Sequence, residues 1–290
     1  MHVAVRPARP EDGTLLVGYL EAAYGAGYLP TFDRDGPPQP RDLWWVGSEK
    51  EVSVIEVDRR PAGMLVVGRH RGQWLVEEIL APGFGELAAR RQEALVQRVA
   101  AHLVALFQRG GQAALLLRCA ETGAFGLALA RHLTAALANA LLVYRYRGPR
   151  RPAVRPPEGY EVRRATPADA RALGRLVREV IPERGRAEEV ERVLAARDGR
   201  GFLALREAFP VGFAAVDVRA GGGAWTVGVR EGHRRRGIGR ALAASVLGVL
   251  HAREPAPWAT AWALDPMTGP FLRALGFGVE RTYLYLERPL

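Results

Sequence analysis

The sharpest chemical signal in the sequence is Arg234-Arg235-Arg236-Gly237-Ile238-Gly239. An apolar run from Ala224 to Val229 precedes it and reads as a strand; Arg240 to Leu250 follows and reads as a helix. Strand, basic glycine loop and helix, in that order, build an anion site. Glycine lets the backbone approach a ligand closely. The free amides of a helix start, at the positive end of its dipole, face a phosphate, and the arginines add charge. The stretch points to a pyrophosphate-bearing ligand. The competing structural reading is an ordinary tight turn, but clustering three arginines without an anion is unfavourable.

Other residues with chemical potential are sparser. Glu231 and His233 flank the loop, and a histidine titrates near neutrality; a solvated turn is the favoured reading of both. Asp265 is a candidate to accept a proton or orient a water, or else it caps a helix starting near Pro266 or Met267. Tyr283 and Tyr285 are candidate proton donors on an alternating strand, where aromatics also serve packing. Glu77 and Glu78 share one predicted strand, facing either a cleft or solvent. Trp258 and Trp262 wall a site or fill a core. Cys119, the only cysteine, reads as a small buried apolar residue and excludes an internal disulfide and a cysteine metal cluster. No metal is expected.

The elements that must position these residues come in two similar sets. Val5-Arg6-Pro7-Ala8-Arg9-Pro10-Glu11-Asp12 matches Val162-Arg163-Arg164-Ala165-Thr166-Pro167-Ala168-Asp169, a strand running into a Pro-x-Asp helix start. Arg60 to Val67 matches Phe209 to Val216, each a hairpin turn entering a strand. Trp74 to Ile79 is matched to Trp225 to Val229, a long helical pattern follows in both, and each half closes on an aromatic strand, Val143 to Tyr146 and Tyr283 to Leu286. The chain is read as two copies of one α/β fold with layered α+β character: residues 1–146, a Pro/Arg-rich linker over 147–159, and residues 160–290. Each copy is expected to hold a mixed, mostly antiparallel central sheet flanked by helices. The glycine loop is not repeated. The first half has Ala81-Pro82-Gly83-Phe84-Gly85-Glu86-Leu87 in its place, without arginines and with an acid where a phosphate would approach. It also has a Gly- and Pro-rich insertion from Tyr24 to Trp45, long for a loop.

Composition bounds the rest. The 290 residues are 48% hydrophobic, enough for a sizeable core, and no apolar run is long enough for a bilayer. The N-terminus lacks a signal-peptide pattern, so a cytoplasmic protein is expected. The net charge is +10, and Lys50 is the only lysine. The arginines are spread over most segments rather than gathered in a stripe with aromatics, which disfavours nucleic acid as the main partner.

With these motifs together, the second half resembles the GNAT superfamily of acyl-CoA-dependent N-acetyltransferases. That family's signature of a strand, Arg/Gln-x-x-Gly-x-Gly/Ala and a helix is matched by Arg234-x-x-Gly237-x-Gly239. A second signature is matched by Asp265-Pro266-Met267 followed by Leu275-Gly276-Phe277. The likeness covers about residues 160 to 290 well and 1 to 146 weakly, as in tandem members with a degenerate N-terminal lobe. It implies acetyl-CoA as donor. It assigns Val227, Gly228 and Val229 to the pantetheine arm, and Arg234, Arg235, Arg236, Gly237, Ile238, Gly239 and Arg240 to the pyrophosphate. It also implies that Gly269 to Leu275 lies beside the thioester. Three residues depart from the pattern: Asp265 where Asn is usual, Leu272 where many members place a proton-donating tyrosine, and Glu231 where proline is common.

The implied reaction is attack of a neutral amine on the thioester, with a strand amide holding the developing oxyanion. An alkyl amine costs roughly 4.6 kcal/mol to deprotonate at neutral pH, an α-amine only about 1 kcal/mol. Residues 224–229 contain no carboxylate or histidine, so the base is remote, a water, or unneeded. Asp265 and Tyr283 are the catalytic candidates. The acceptor is a small-molecule or peptide amine, with no membrane partner, and a monomer or homodimer fits a two-copy chain. The alternative is a catalytically weak or inactive CoA-binding tandem module with a regulatory or scaffold role. A dinucleotide-binding oxidoreductase lacks its third glycine, and a kinase-type loop lacks Gly-Lys-Ser/Thr.

Overall fold

The computed structural model describes residues 1–24, 50–70, 72–149, 154–182, 184–195, 199–217, 225–252 and 256–290. All but the first residue of the Tyr24–Trp45 insertion, and residues 150–153 of the linker, lie outside that set. In chain order the elements are β1 (Val3–Pro7), α1 (Gly13–Tyr24), β2 (Lys50–Val57), β3 (Arg60–His70), β4 (Gln73–Leu80), α2 (Ala89–Arg109), β5 (Ala114–Ala120), α3 (Ala124–His132) and β6 (Ala136–Tyr146). They continue as β7 (Glu161–Arg164), α4 (Ala170–Val180), α5 (Arg184–Ala195), β8 (Gly199–Arg206), β9 (Phe209–Asp217), β10 (Trp225–Val229), α6 (Ile238–Leu250), β11 (Trp258–Trp262), α7 (Thr268–Ala274) and β12 (Phe277–Pro289).

The internal repeat is built from the same local physics twice. Arg6 grips Asp12 through two hydrogen bonds of 2.7 and 2.9 Å, and Arg163 grips Asp169 at 2.8 Å twice. Each carboxylate also accepts the backbone N–H three residues earlier, from Arg9 and Thr166, which satisfies an amide ahead of a helix start. The hairpins β2–β3 and β8–β9 turn on Asp58-Arg59 and Glu207-Ala208, all four at positive φ. Two such residues make the turn whose twist matches that of the paired strands. Both hairpins then shift register at the same step, Ile55/Glu56 and Ala204/Leu205.

The ladders also correct the expected alignment of the halves. Gly63 and Gly212 hold equivalent places after the turn, so Met64 matches Phe213, Leu80 matches Gly228, and Val76 matches Trp225. Trp74 is therefore not the counterpart of Trp225. A bulge at Glu77, where Val66 faces Glu78 and Val67 faces Val76, takes up one residue of the difference.

The chain forms two compact units, each with its own core. The first comprises Met1–Leu142, Trp262–Leu264 and Arg281–Leu290; the second comprises Val143–Ala261 and Asp265–Glu280. The aromatic strands that sequence matching assigns to their own halves are thus exchanged: Val143 to Tyr146 belongs to the second unit and Tyr283 to Leu286 to the first. In the first unit β12 runs antiparallel to β5, from Tyr283 opposite Ala120 to Pro289 opposite Ala114. Its strands run in the order β1-β2-β3-β4-β5-β12, and β4 pairs with β5 in parallel. Leu286 joins a core with Phe107, Leu103, Leu117 and Leu129.

The second unit's own sheet is β10-β9-β8-β7, antiparallel throughout. Strand alternation divides its side chains between two cores. Leu203, Leu205, Phe213 and Ala215 pack with Leu173, Leu176 and Val177 of α4. Phe202, Ala204, Ala214 and Val216 pack with Ile238, Leu242, Val246 and Leu250 of α6. Two helical layers on a mostly antiparallel sheet match the expected fold class. None of the helices is long and apolar enough to cross a membrane, among the described residues.

Candidate active site

Strand β10 is the edge of the second unit's sheet, and its outer side has no strand partner among the described residues. Which groups face outward follows from pairing. The Arg230 N–H bonds the Val211 carbonyl at 2.9 Å, one step past the Val229–Gly212 pair. Antiparallel pairs alternate between bonded and unbonded. Thr226 and Gly228 therefore spend their N–H and C=O groups on β9, while Val227 and Val229 turn theirs to the open side. Gly228 is glycine for a packing reason: a Cβ there would run into the Phe213 ring and lie 2.8 Å from Val180.

At the C-terminal end of β10 the chain makes a short helical turn over Glu231–His233 and then the basic loop. Arg235 has φ 61° and Gly237 φ 87°. The second is the left-handed region that glycine enters without steric cost. Helix α6 takes its first bond at the Gly237 carbonyl, from the Ala241 N–H at 3.1 Å. The N–H groups of Arg235 through Arg240 have no backbone partner among the described residues. Helix starts leave four such donors; the loop extends the run to six. The dipole of a 13-residue helix adds positive potential at that point. The chain thus has the donors to hold a phosphate group.

The arginine side chains frame this cradle. Arg234 donates through Nε to the Val229 carbonyl at 2.9 Å, tying the loop to the open edge of β10. Arg240 donates to the Ala274 carbonyl at 2.8 Å, which completes the C-terminal end of α7. Arg235 lies 3.7 Å from the Met267 sulfur. Arg236 is exposed and has no partner among the described residues.

These contacts bring the two sequence motifs together. Gly239 faces Phe271, whose ring would be 3.4 Å from an added Cβ. Asp265 caps α7: its Oδ1 accepts the N–H of Met267 at 2.8 Å and of Thr268 at 3.2 Å, and its Oδ2 accepts the Thr268 hydroxyl at 2.5 Å. Leu272 is buried on the same helix. Gly276, at φ 99°, ends the helix in the left-handed region, and Phe277 enters β12 buried.

The remaining candidates fall elsewhere. Tyr283 is a first-unit residue, buried opposite Ala120, with burial raising its hydroxyl pKa and Arg281 donating to it at 3.4 Å. Asp265 and the loop belong to the second unit. His233 pairs through Nδ1 with the Tyr160 hydroxyl at 3.1 Å. Trp262 and Tyr285 meet edge to face in the first unit. Cys119 is buried, and desolvation pushes its thiol to about 11.

The first unit's counterpart is closed at both levels. Its loop folds Phe84 inward against Phe125, and Gly83 has φ −85° rather than a left-handed value. Strands β4 and β5 pair only at Leu75–Leu116 and Val76–Leu117. Beyond that point Arg118 spans the parting strands, donating to the Glu77 carbonyl at 3.0 Å and the Glu78 carboxylate at 2.7 Å. Glu77 pairs with Lys50 at 2.7 Å. Two buried carboxylates are thereby matched by two cations, as burial demands. Sequence reading overlooked Arg118 because its partners lie 40 residues away.

Residues 170–277 match the acetyltransferase (GNAT) family. No curated protein is significantly similar in sequence. Solved structures share the fold over nearly the whole chain. A GCN5-related N-acetyltransferase from Sphaerobacter thermophilus is 20% identical, with 99% of this chain and 95% of that chain covered at a TM-score of 0.63. A tandem GNAT protein from the clavulanic acid biosynthesis pathway is 18% identical, with 99% and 98% covered at 0.61. A GNAT-family acetyltransferase from Colwellia psychrerythraea is 11% identical, with 99% and 100% covered at 0.60. At such identities the likeness is one of fold.

Proposed function

We propose, from the premise that residues 170–277 form a GNAT-family domain in a chain with the tandem GNAT fold, that the second unit is an acetyl-CoA-dependent N-acetyltransferase. The observation that carries this reading is the run of unpaired amides from Arg235 to Arg240, set at the end of an open strand edge. Pyrophosphate fits the amides, with Arg234, Arg236 and the dipole of α6 supplying charge. The pantetheine arm, which has amide groups of its own, fits the outward backbone of Val227 and Val229. Gly228 supports that strand through its packing rather than through the ligand.

An outward strand N–H is a fixed donor for negative charge developing on a carbonyl oxygen. Strand β10 carries no side-chain base, so the amine loses its proton to water or to a group supplied from outside this strand. That arrangement favours acceptors of low basicity, in small molecules or peptides. Asp265 holds α7 in place while its carboxylate is spent on capping.

Glycine 239 tests the site directly. Its neighbour Phe271 leaves room for a side chain at ordinary contact distance, so Gly239→Glu is expected to fold. It sets a carboxylate among the phosphate donors. Charge-assisted bonds contribute about 1.5–3 kcal/mol each, so acetyl-CoA affinity by calorimetry is expected to fall at least roughly a hundredfold. Unchanged affinity would place the donor elsewhere.

A second reading, a CoA-binding module without transfer, is favoured by buried Leu272, which has no proton to give a departing thiolate. A mass-spectrometric acetylation screen over amines, amino acids and peptides separates the two. Binding without thiol release across the panel supports the module.

A further inference from the structure

We propose that Trp225 closes the head of the donor cleft and limits the acyl group to about the size of acetyl. The proposal rests on the assignment of the second unit's loop and edge to acyl-CoA. It adds a residue that sets donor specificity.

The two units close the corresponding end of their clefts differently. In the first, β4 and β5 are joined there by backbone pairing at Leu75–Leu116 and Val76–Leu117. In the second, β10 and β11 share no backbone ladder among the described residues. Their junction is a side chain: the Trp225 indole N–H donates to the Trp258 carbonyl at 3.3 Å. Trp225 occupies the ladder position of Val76, so an indole stands where the first unit has strand pairing.

That indole is firmly backed. It stacks on Phe277 at 6.0 Å between centroids and 28° between planes. Phe277 is buried and meets Tyr146 edge-on at 5.1 Å, and Tyr146 meets His251 at 5.2 Å. Aromatic contacts of this kind resist displacement, so an acyl chain cannot push the ring aside without unstacking it.

The length of the edge places the acyl group against this wall. The pantetheine arm has about a dozen bonds between phosphate and sulfur, the length of about four residues of extended backbone at three bonds each. From the loop end of β10 at Val229, four residues lead back to Trp225. A donor anchored at the loop and extended along the outward groups of Val229 and Val227 therefore delivers its thioester just short of the indole. Acetyl fits in that space; each further methylene meets the ring.

Calorimetric titration of the whole protein with free CoA, acetyl-CoA, butyryl-CoA and hexanoyl-CoA tests this without any acceptor. In the natural protein, hexanoyl-CoA is expected to bind at least tenfold more weakly than acetyl-CoA. In Trp225→Ala that ratio is expected to fall to near one or invert. Trp225→Phe, which keeps a stacking ring without the N–H, is expected to retain most of the discrimination. Equal affinity for all chain lengths in the natural protein would overturn the proposal while leaving the donor site intact, as would an unchanged ratio in a folded Trp225→Ala. Absence of any CoA binding in the natural protein would overturn the donor-site assignment and this proposal with it. If Trp225→Ala melts on expression, Trp225→Val replaces it, and the series in the natural protein decides by itself.

Discussion

Asp12 and Asp169 perform the same task at equivalent places, and both are strongly acidic. The Arg6 guanidinium, first among the causes, holds Asp12 at about 2 against an ordinary 3.8. Arg163 chiefly holds Asp169 lower still. A folded-state pKa below the unfolded value means the unfolded chain binds the proton more readily. The stability from these pairs is therefore complete above about pH 4 and is lost as pH falls from there, down to about 2 for Asp12 and further for Asp169. Melting temperatures measured at pH 6 and pH 2.5 are expected to differ less in the double variant Asp12→Asn, Asp169→Asn than in the natural protein. At pH 6 the variant is expected to be the less stable of the two. A parallel pH response would exclude these carboxylates as the cause. The residue types and spacing made both helix starts readable, since a Pro-x-Asp start needs only local chain.

Strand β10 shows what one element must satisfy at once. Its inward glycine packs under Phe213 and Val180, and its outward valines turn their backbone groups away from β9, the Val229 carbonyl accepting from Arg234. Gly228→Ala adds a methyl where no space exists. Overpacking of a formed core costs typically 1–3 kcal/mol, so Gly228→Ala is expected to lower the melting temperature by several degrees. The displaced strand is also expected to weaken acetyl-CoA binding, although the substitution touches no outward group. An unshifted melt would mean that the strand moves freely there. The alternating apolar pattern made the strand legible, but not its register against β9. The first half's bulge at Glu77 shifts the alignment, and a bulge leaves no mark in residue type.

For the whole molecule, the consequential feature is that the last ten residues complete the first unit. Residues Tyr283 to Pro289 pair with Ala114 to Ala120, and Leu286 joins the first core. Ending the chain after Glu280 leaves β5 with an unpaired edge and opens a void in that core. Losing a buried leucine alone costs roughly 2–5 kcal/mol. Amide hydrogen exchange in the truncated chain is expected to show lost protection over residues 114–120. Retained protection there would mean that the first unit closes without the strand. A chain cut within 147–159 is likewise expected to yield a first half that aggregates through its exposed edge.

The sequence by itself determined the two-copy plan, the Pro-x-Asp helix starts, the position of the basic glycine loop and its second motif. Each is set by short-range chemistry: φ freedom at Gly237, a carboxylate three residues past an amide, an apolar period of two. Tertiary structure alone decided which unit takes each aromatic strand, that Arg118 fills the first unit's parting strands, and that Trp225 spans the second unit's. Those outcomes depend on partners from 33 residues apart, as for Trp225 and Trp258, to 169, as for Leu286 and Leu117. Val143 to Tyr146 and Tyr283 to Leu286 are too alike for their own residues to choose a unit. Only the vacancy beside β5, created when the rest of the chain has folded, makes the choice.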